Sequence, residues 1–182
     1  PYQMTTSSNL SSSRALRDVT EQYGGEYAAA AVGEVNVTTK MKECGCLIGG
    51  EGNGGVIYPA LHYGRDAMVG VALFLTNLAY KKMTVSELLA TYPKYVIAKN
   101  KIELSDSALI DRILDAVKTE YASEDINTID GVKISFESRK EWVHLRRSNT
   151  EPIIRIYAEA ADKEAADALA QQIIEIAKKI IG

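Results

Sequence analysis

The sequence predicts an α/β protein built from two units in series. Residues 1–92 are expected to form part of a three-layer α/β domain, and residues 93–182 a small α+β domain with an antiparallel sheet and two helices. The first expectation comes from a long apolar segment, Asp66 to Lys81, which has helical length but few predicted strands to cover it. The second comes from the order strand–helix–strand–strand–strand–helix that follows Pro93.

The composition is that of an ordinary globular domain. The 182 residues are 46% hydrophobic and 25% charged, with a net charge of -3, whereas sequence-independent nucleic-acid binding needs a surplus of Lys and Arg. No signal-peptide pattern opens the chain, and no apolar run reaches the roughly 20 residues that span a bilayer. Cys44 and Cys46 are too close in sequence for an unstrained bridge. We therefore expect a cytoplasmic protein with neither nucleic acid nor a membrane as partner.

Polar composition and capping residues predict the first elements. Residues 1–12 are rich in Ser and Thr and are expected to form a loop or a frayed start. Ser13 is expected to cap a helix that ends before Gly24. A strand is predicted at Glu26–Val32, and Asn36 is expected to cap a short helix after it.

The middle of the chain has a glycine-dense loop between two short apolar runs. Cys44–Ile48 and Val56–Tyr58 are predicted to be strands on either side of the loop Gly49–Gly55. The long apolar helix that follows is expected to be buried, with Asp66 as its N-cap and Arg65 on the surface.

Clear local signals mark the end of the first unit and all of the second. Thr84 and Glu87 have the spacing of a capping box and predict a helix that ends before Pro93. The elements predicted after that boundary are an edge strand from Tyr95 to Leu104, a helix capped by Ser107, a hairpin turn at Asp130-Gly131, strands at Lys133–Glu137, Glu141–Leu145 and Ile153–Ala158, and a final helix from Asp162.

The segment Gly50–Gly55 matches the GxGxxG pattern of dinucleotide-binding turns. Such a turn must be followed at once by a helix whose N-terminus holds the pyrophosphate. The residues Val56–Tyr58 are typical of a strand instead, which disfavours a dinucleotide site. Two interpretations stay open. One is a plain hairpin turn, and the other is a polyol-binding loop in which Glu51 accepts hydrogen bonds and Asn53 both accepts and donates them.

A second polar segment joins two predicted strands near the C-terminus. It concentrates the guanidinium, hydroxyl and amide donors that bind a phosphate dianion in Arg146, Arg147, Ser148, Asn149 and Thr150. Arg155 in the following strand adds a further cation. A simple strand–turn–strand connection is the alternative, because Ser, Asn and Thr are common turn residues. The adjacent positive charges of Arg146 and Arg147 favour phosphate.

Other kinds of site have little support in the sequence. His62 and His144 have no acid or thiol at metal-ligand spacing and are expected to be structural or rim residues. The serines Ser11–Ser13 precede a helix and have no base nearby, so capping is expected rather than nucleophilic catalysis. No Asp-x-Asp cluster is present, so no metal or cofactor site is expected in this chain.

Both polar loops resemble those of a known enzyme family. The segment Arg146-x-Ser148-Asn149-Thr150-Glu151-Pro152-x-x-Arg155 resembles the C-terminal phosphate-binding signature of the α-D-phosphohexomutases, which include phosphoglucomutase, phosphomannomutase and phosphoglucosamine mutase. Gly50–Gly55 resembles the sugar-binding loop of that family's third domain. The segments Val32–Glu34, Lys40–Glu43 and Tyr63–Asp66 resemble the family in the same order.

The resemblance implies a fold and a role. It identifies residues 1–92 as part of domain 3 and residues 93–182 as domain 4, a domain with a fold like that of the TATA-box-binding protein. In the family, the phosphoserine and the Mg²⁺-binding loop lie in earlier domains. The chain is therefore expected to be an inactive C-terminal fragment whose partners are a hexose phosphate and the missing N-terminal domains. The implied whole enzyme interconverts hexose 1-phosphate and hexose 6-phosphate through a bisphosphate intermediate.

The same resemblance implies the contact residues. The sugar is expected to contact Glu51, Asn53 and Gly54, and the phosphate is expected to contact Arg146, Ser148, Asn149, Thr150 and Arg155. Many bacterial members have Ser in place of Asn53 and His in place of Gly55, so the preferred hexose stays open. A non-catalytic sugar-phosphate-binding module is the alternative function.

Overall fold

The computed structural model describes residues 4–104, 106, 108–148 and 151–181. The chain divides into two compact units, Pro1–Lys94 and Tyr95–Gly182. The sheet of the first unit is mixed and that of the second is antiparallel with a long C-terminal helix. The predicted fold class, an α/β domain followed by a small α+β domain, is confirmed.

The first unit is a five-stranded sheet with helices. Its elements are β1 (Thr5–Asn9), α1 (Ala15–Gln22), β2 (Glu26–Ala30), α2 (Glu34–Cys44), β3 (Ile48–Glu51), β4 (Gly55–Tyr58), β5 (His62–Arg65), α3 (Ala67–Lys81) and α4 (Val85–Ala90). The strand order is β2-β1-β3-β4-β5. Strand β1 runs parallel to both β2 and β3, whereas β4 is antiparallel to β3 and β5.

Strand β1 is where the sequence prediction fails most clearly. Its residues were expected to form a loop, yet all five are buried and the strand lies between β2 and β3. Two of its hydroxyl groups have partners inside the unit: Thr6 Oγ1 lies 2.7 Å from Thr20 Oγ1, and Ser8 Oγ lies 2.8 Å from Tyr27 Oη. Ser7 Oγ, in contrast, is buried without a hydrogen-bond partner among the described residues. Polar residues can form a buried strand when their side chains are hydrogen-bonded. The polar composition of β1 therefore did not predict a strand.

The capping residues predicted for α1 and α2 are wrong. The N-cap of α1 is Arg14 and makes no side-chain cap, while Ser13 Oγ accepts a hydrogen bond from the Ala15 N–H at 3.1 Å. Helix α2 begins after Gly33, so that Asn36 lies inside it and donates from Nδ2 to the Val32 carbonyl at 2.9 Å. Local side-chain bonds of this kind occur at several positions of a first turn, which is why the spacing misplaced the caps.

The strand predicted at Cys44–Ile48 is also wrong. Cys44 is the last residue of α2, and Gly45 ends that helix in the left-handed region with φ 61°. The strand starts at Ile48 and includes part of the glycine-dense segment, because β3 and β4 pair through it. Strand β5 was not predicted.

Helix α3 has the predicted bounds but not the predicted burial. Asp66 caps it as expected, since Asp66 Oδ1 accepts from the Val69 N–H at 3.0 Å. None of its residues is buried, however. Its close approach to the sheet is at Gly70, where an added Cβ would lie 3.2 Å from Val56 Cγ2. Six large apolar side chains of the helix are exposed and are called here the α3 surface: Met68, Val71, Leu73, Phe74, Leu75 and Tyr80.

Helix α4 carries the predicted capping box. Thr84 Oγ1 accepts from the Glu87 N–H, and Glu87 Oε2 accepts from the Thr84 N–H at 2.8 Å. These hydrogen bonds to the carboxylate hold the pKa of Glu87 below its usual value. Each partner satisfies a donor that the start of a helix otherwise leaves open.

The second unit follows its predicted order, with one additional strand, β7, before the predicted hairpin turn. Its elements are β6 (Val96–Glu103), α5 (Ala108–Glu120), β7 (Asp125–Asn127), β8 (Val132–Phe136), β9 (Glu141–Arg147), β10 (Ile153–Ala160) and α6 (Lys163–Ile181). The strand order is β6-β10-β9-β8-β7, so β6 is an edge strand as predicted. Strands β7 and β8 form a hairpin around Asp130-Gly131, with Gly131 at φ 74°. Ser107, the expected cap of α5, lies outside the described residues.

The core of the second unit lies between its sheet and its two helices. Strand alternation and helical periodicity place apolar side chains on the facing surfaces. The largest of these that are fully buried are Ile110, Ile113, Ile134, Leu145, Ile154, Ile156 and Ile173. Asp162 caps α6 as predicted, since its Oδ1 accepts from the Ala165 N–H at 2.9 Å.

Candidate functional site

In the first unit, the candidate site is built around the turn between β3 and β4. Residues Glu51 and Gly55 face each other across the antiparallel pair and close the turn. Gly54 stands at φ 94°, a conformation that L side chains rarely adopt. Asn53 Oδ1 accepts from the Gly55 N–H at 3.2 Å, which fixes the exposed tip of the turn. The turn is therefore ordered by its own backbone and by one amide side chain.

Glu51 points back toward the sheet and is held there. Its side chain is only 7% exposed. Glu51 Oε1 accepts from Asn9 Nδ2 at 2.9 Å and from the Gly33 N–H at 3.1 Å. Glu51 Oε2 lies 4.0 Å from Arg65 Nη1. Two hydrogen-bond donors and a nearby guanidinium hold this acceptor in one orientation, which is the condition for selective recognition of a hydroxyl.

Two further polar residues support the turn, and neither was singled out for the site from the sequence. Ser12 Oγ donates to Asn9 Oδ1 at 3.0 Å and accepts from the Gly52 N–H at 2.9 Å. Because β1 and β3 are parallel, their carboxyl ends meet at one edge of the sheet, and Asn9 and Glu51 end those strands. The signal that could have found them is a polar residue at the end of a strand, Asn9, with a second one, Ser12, in the turn that follows. The sequence predicts a loop at this strand, so the signal is missed.

Cavities open on both sides of this turn. One of about 300 Å³ is lined mainly by backbone and small side chains, among them Ser8, Ser12, Gly50, Glu51 and Gly52. A second of about 390 Å³ is lined by Glu34, Asn53, Gly54, Gly55, Arg65, Asp66 and Ala67. Of the expected sugar-contact residues, Glu51 lines the first cavity, Asn53 lines the second, and Gly54 lines both.

In the second unit, two arginines lie side by side across neighbouring strands. Arg146 in β9 and Arg155 in β10 are directly paired, so their side chains share one face of the sheet. Arg146 is 19% exposed, and its Nε lies 3.1 Å from Asp130 Oδ2. Arg155 Nη2 lies 3.8 Å from Glu151 Oε2. The neighbouring Arg147 alternates to the other face and pairs with Asp111 at 3.1 Å.

The loop between β9 and β10 is closed at its base. The Ser148 N–H donates to the Ile153 carbonyl at 3.0 Å, and the Leu104 N–H donates to the Pro152 carbonyl at 2.9 Å. Ser148 lies two residues after Arg146, at the start of this loop. Asn149 and Thr150, the other two expected phosphate contacts, lie outside the described residues.

The two histidines have different surroundings. His144 is buried, and its Nε2 lies 2.6 Å from the Asp130 carbonyl oxygen. Burial lowers the pKa of His144 from 6.5 to about 4, so the ring is neutral near pH 7 and donates to that carbonyl. His62 is exposed, and its Nε2 lies 3.0 Å from Asp66 Oδ2.

Metal-binding and membrane-spanning features were examined over the same residues. Across the described ranges, no group of three or more His, Cys, Asp or Glu side chains is arranged to hold a metal ion. Within those ranges, every helix is too short or too polar to cross a bilayer.

Comparison with family models identifies both units. Residues 2–95 match the model described as phosphoglucomutase/phosphomannomutase, alpha/beta/alpha domain III. Residues 99–176 match phosphoglucomutase/phosphomannomutase, C-terminal domain.

The chain belongs to the phosphoglucomutase/phosphomannomutase family.

Relatives within this family carry different sugar names. The chain is 34% identical over 175 residues to a probable phosphoglucosamine mutase of Methanopyrus kandleri, covering 95% of this chain and 38% of that protein. It is also 34% identical over 175 residues to a phosphoglucomutase/phosphomannomutase of Thermococcus kodakarensis, covering 94% of this chain and 36% of that protein. This family member therefore spans well under half the length of these relatives.

Solved structures share the fold of this chain. A phosphoglucomutase/phosphomannomutase family protein from Burkholderia thailandensis superposes with a TM-score of 0.75 at 24% identity, over 97% of this chain and 37% of that chain. The N-acetylphosphoglucosamine mutase of Aspergillus fumigatus, in complex with GlcNAc-6P and magnesium, superposes with a TM-score of 0.70 at 16% identity, over 99% and 39% of the two chains.

Proposed function

We propose that this chain is the C-terminal, substrate-binding portion of a phosphohexomutase that interconverts hexose 1-phosphate and hexose 6-phosphate. The observation that carries the proposal is the cross-strand pair Arg146 and Arg155 beside Ser148, in a chain of this family. Two guanidinium groups near a hydroxyl match the charge and the hydrogen-bonding needs of a phosphate dianion.

Each unit has its own part in recognition. Residues 1–92 recognise the sugar, with the fixed carboxylate of Glu51 accepting from ring hydroxyls and the amide of Asn53 beside Gly54 accepting or donating. Residues 93–182 bind the phosphate through Arg146, Ser148, Asn149, Thr150 and Arg155. Because neither set transfers a phosphoryl group, their contribution to the reaction is to bind and orient the substrate.

The proposed reaction moves phosphoryl groups in two steps. A phosphoserine outside this chain transfers its phosphoryl group to the free hydroxyl at one end of the hexose phosphate, giving a hexose bisphosphate and a serine hydroxyl. The bisphosphate reorients, and the serine then takes the other phosphoryl group. The same phosphate-binding residues must therefore bind the sugar phosphate in two orientations, and a phosphate site with several equivalent donors suits this task.

The proposed enzyme binds magnesium, but we assign no magnesium ligand to the described residues of this chain. The Aspergillus fumigatus relative was solved with magnesium, whereas the described residues of this chain include no cluster of carboxylates that fits the ion. We therefore place the metal in the N-terminal portion, and the residues of this chain act by binding and orienting the sugar phosphate.

The partner proposed for the α3 surface is that N-terminal portion of the same protein. Large contiguous apolar areas on a soluble protein usually mark interfaces. Met68 is 76% exposed and Tyr80 84% exposed, and the relatives have more than half their length outside the region matched here. The preceding polypeptide is therefore the occupant that we propose for this surface.

The test is thermal unfolding of the chain with glucose 1-phosphate, glucosamine 1-phosphate or mannose 1-phosphate. At about 100 times its dissociation constant, a ligand that binds only the folded chain adds roughly 2.7 kcal/mol of stability. Arg146→Ala is expected to lose this stabilisation. Arg147→Ala is the matched control and is expected to keep it, because Arg147 lies on the opposite face and pairs with Asp111.

The outcomes separate the proposal from its alternatives. Stabilisation that both variants retain would show that the paired arginines do not form the phosphate site. A longer chain that carries the N-terminal portion, binds the same ligands and yet shows no mutase activity would support a non-catalytic sugar-phosphate-binding module.

A further inference from the structure

Arg65 holds a second acidic residue beside the sugar-binding turn. The Arg65 N–H donates to Glu34 Oε1 at 3.2 Å, and Arg65 Nε donates to Glu34 Oε2 at 2.8 Å. One residue thus engages both oxygens of one carboxylate. Glu34 begins α2 directly after Gly33, whose N–H donates to Glu51. The arginine therefore links β5 to the strand and helix ends that position Glu51.

The aliphatic part of Arg65 lies across the turn at Gly55. A Cβ added to Gly55 would lie 2.3 Å from Arg65 Cδ and 2.9 Å from Arg65 Cγ. Any side chain at position 55 would displace the arginine, because real Cβ contacts essentially never fall below 3.0 Å. The missing side chain of Gly55 is thus what brings the guanidinium next to the turn, with Nη1 4.0 Å from Glu51 Oε2.

The pair faces a cavity that the turn also lines. Glu34, Arg65, Asn53 and Gly55 share the cavity of about 390 Å³. The Glu34 side chain is 34% exposed and that of Arg65 is 47% exposed, in contrast to the enclosed carboxylate of Glu51. Among the described residues, the Nη atoms of Arg65 donate no hydrogen bond, so they can donate to a ligand.

We propose that Arg65 is a specificity-determining residue of the sugar site. Its guanidinium donates to a ring hydroxyl of the hexose, and Glu34, which it holds, accepts from that hydroxyl or from its neighbour. A fixed donor beside a fixed acceptor discriminates between epimers, because the wrong epimer leaves both polar groups without partners. This inference rests on the proposed function, since it adds a residue to the same sugar-binding turn.

Arg65 supplies positive charge beside the carboxylates around the sugar-binding turn. Three carboxylates, Glu34, Glu51 and Asp66, lie around this turn, and Arg65 is within ion-pair distance of the first two. Asp66 is engaged by the Val69 N–H and by His62. Without the guanidinium, Glu34 would lose the hydrogen bond from Arg65 Nε and would be free to take another orientation. Glu51 would lose a nearby positive charge but would keep its hydrogen bonds from Asn9 and the Gly33 N–H.

The test is a titration of the chain with the 6-phosphates of glucose, mannose, galactose and glucosamine, followed by calorimetry. The readout is the ratio of the dissociation constants of the best and worst ligands. Arg65→Met keeps the aliphatic stem over Gly55 and removes the charge. It is expected to weaken binding of the preferred ligand about tenfold, as for the loss of a hydrogen bond to a charged group, and to bring the ratio close to one.

Two further variants distinguish a ligand contact from a general structural role. Glu34→Gln is expected to reduce the ratio of dissociation constants similarly. In the double variant Arg65→Met/Glu34→Gln, the effect on this ratio, expressed as a free energy, is expected to be smaller than the sum of the two single effects, because the residues act together. Arg17→Met is the matched control, since Arg17 Nε also bonds a glutamate oxygen at 2.8 Å on an exposed surface. It is expected to leave the ratio unchanged.

The outcomes distinguish this inference from the proposed function. If the wild-type chain binds in an Arg146-dependent way and Arg65→Met keeps the wild-type ratio, Arg65 has no role in specificity and only this inference is overturned. A uniform weakening for all four ligands, with the ratio kept, would overturn it as well. If the wild-type chain binds none of the ligands, the proposed function falls and the inference falls with it.

Discussion

His144 shows at the scale of one residue how burial of a titratable group ties stability to pH. The ring lies inside the second unit against the Asp130 carbonyl, and burial lowers its pKa from 6.5 to about 4. Between these values the unfolded chain binds a proton that the folded chain does not. The contribution of His144 to stability is therefore complete above pH 6.5 and is lost as pH falls toward 4.

We expect the free energy of unfolding of the second unit to fall by about 2 kcal/mol between pH 7 and pH 5 through His144 alone. The measurement is urea unfolding followed by the fluorescence of Trp142, the single tryptophan of the chain and a buried residue of β9. In His144→Gln this part of the pH dependence is expected to disappear. Equal pH dependence in wild type and variant would contradict the prediction.

At the scale of secondary-structure elements, the hairpin of β7 and β8 depends on the glycine in its turn. Gly131 stands at φ 74°, and an added Cβ would lie 2.1 Å from the Leu145 carbonyl oxygen and 2.9 Å from Arg146 Cα. The hairpin thus passes directly against the strand that carries Arg146. Gly24 has nearly the same φ, 73°, but nothing lies within 4 Å of its added Cβ.

Substituting these two glycines distinguishes the cost of backbone strain from the cost of a steric conflict. Gly24→Ala is expected to cost about 1 kcal/mol, from the positive φ alone. Gly131→Ala is expected to cost a further 1–3 kcal/mol or so, because the added methyl group must displace backbone of β9. Scanning calorimetry of both variants measures the difference, and equal losses of stability would show that the contact at Gly131 relaxes without cost.

At the scale of the whole molecule, the α3 surface is an exposed group of large apolar side chains in the first unit. Helix α3 is rich in apolar residues, yet none of its residues is buried. Its contact with the sheet near Val56 covers one side only. Burying a large apolar side chain is worth about 1.5–3 kcal/mol, so covering this surface would stabilise a longer protein considerably.

A charge placed on the α3 surface tests the proposed partner. In this chain, Leu75→Glu is expected to change stability by less than about 0.5 kcal/mol, because Leu75 is exposed. In a chain extended by the N-terminal portion it is expected to cost about 2 kcal/mol or more, since the carboxylate would be buried.

The control is Ile129→Glu, which changes an equally exposed apolar residue of the other unit. It is expected to have a small effect in both chains. Unfolding temperatures of the two variants in the short and extended chains supply the comparison. A small effect of Leu75→Glu in the extended chain would show that the N-terminal portion does not cover α3.

The sequence by itself determined the features that depend on nearby residues and on motifs. The capping box of Thr84 and Glu87, the Asp66 cap of α3 and the alternating strands of the second unit follow from interactions within a few positions. The two loop motifs pointed to the family, and the family models confirm it. The roles of Glu51, Asn53 and Gly54, and of the phosphate loop, stay predictions.

The tertiary structure alone decided what depends on distant residues. The polar strand β1 is buried because two parallel neighbours enclose it. Asn9 meets Glu51 across 42 positions, and Arg65 meets Glu34 across 31, because sheet order and register bring them to one edge. Helix α3 is exposed because the described chain covers it on one side only. Local patterns carry no information about such contacts, since register and coverage are properties of the assembled sheet.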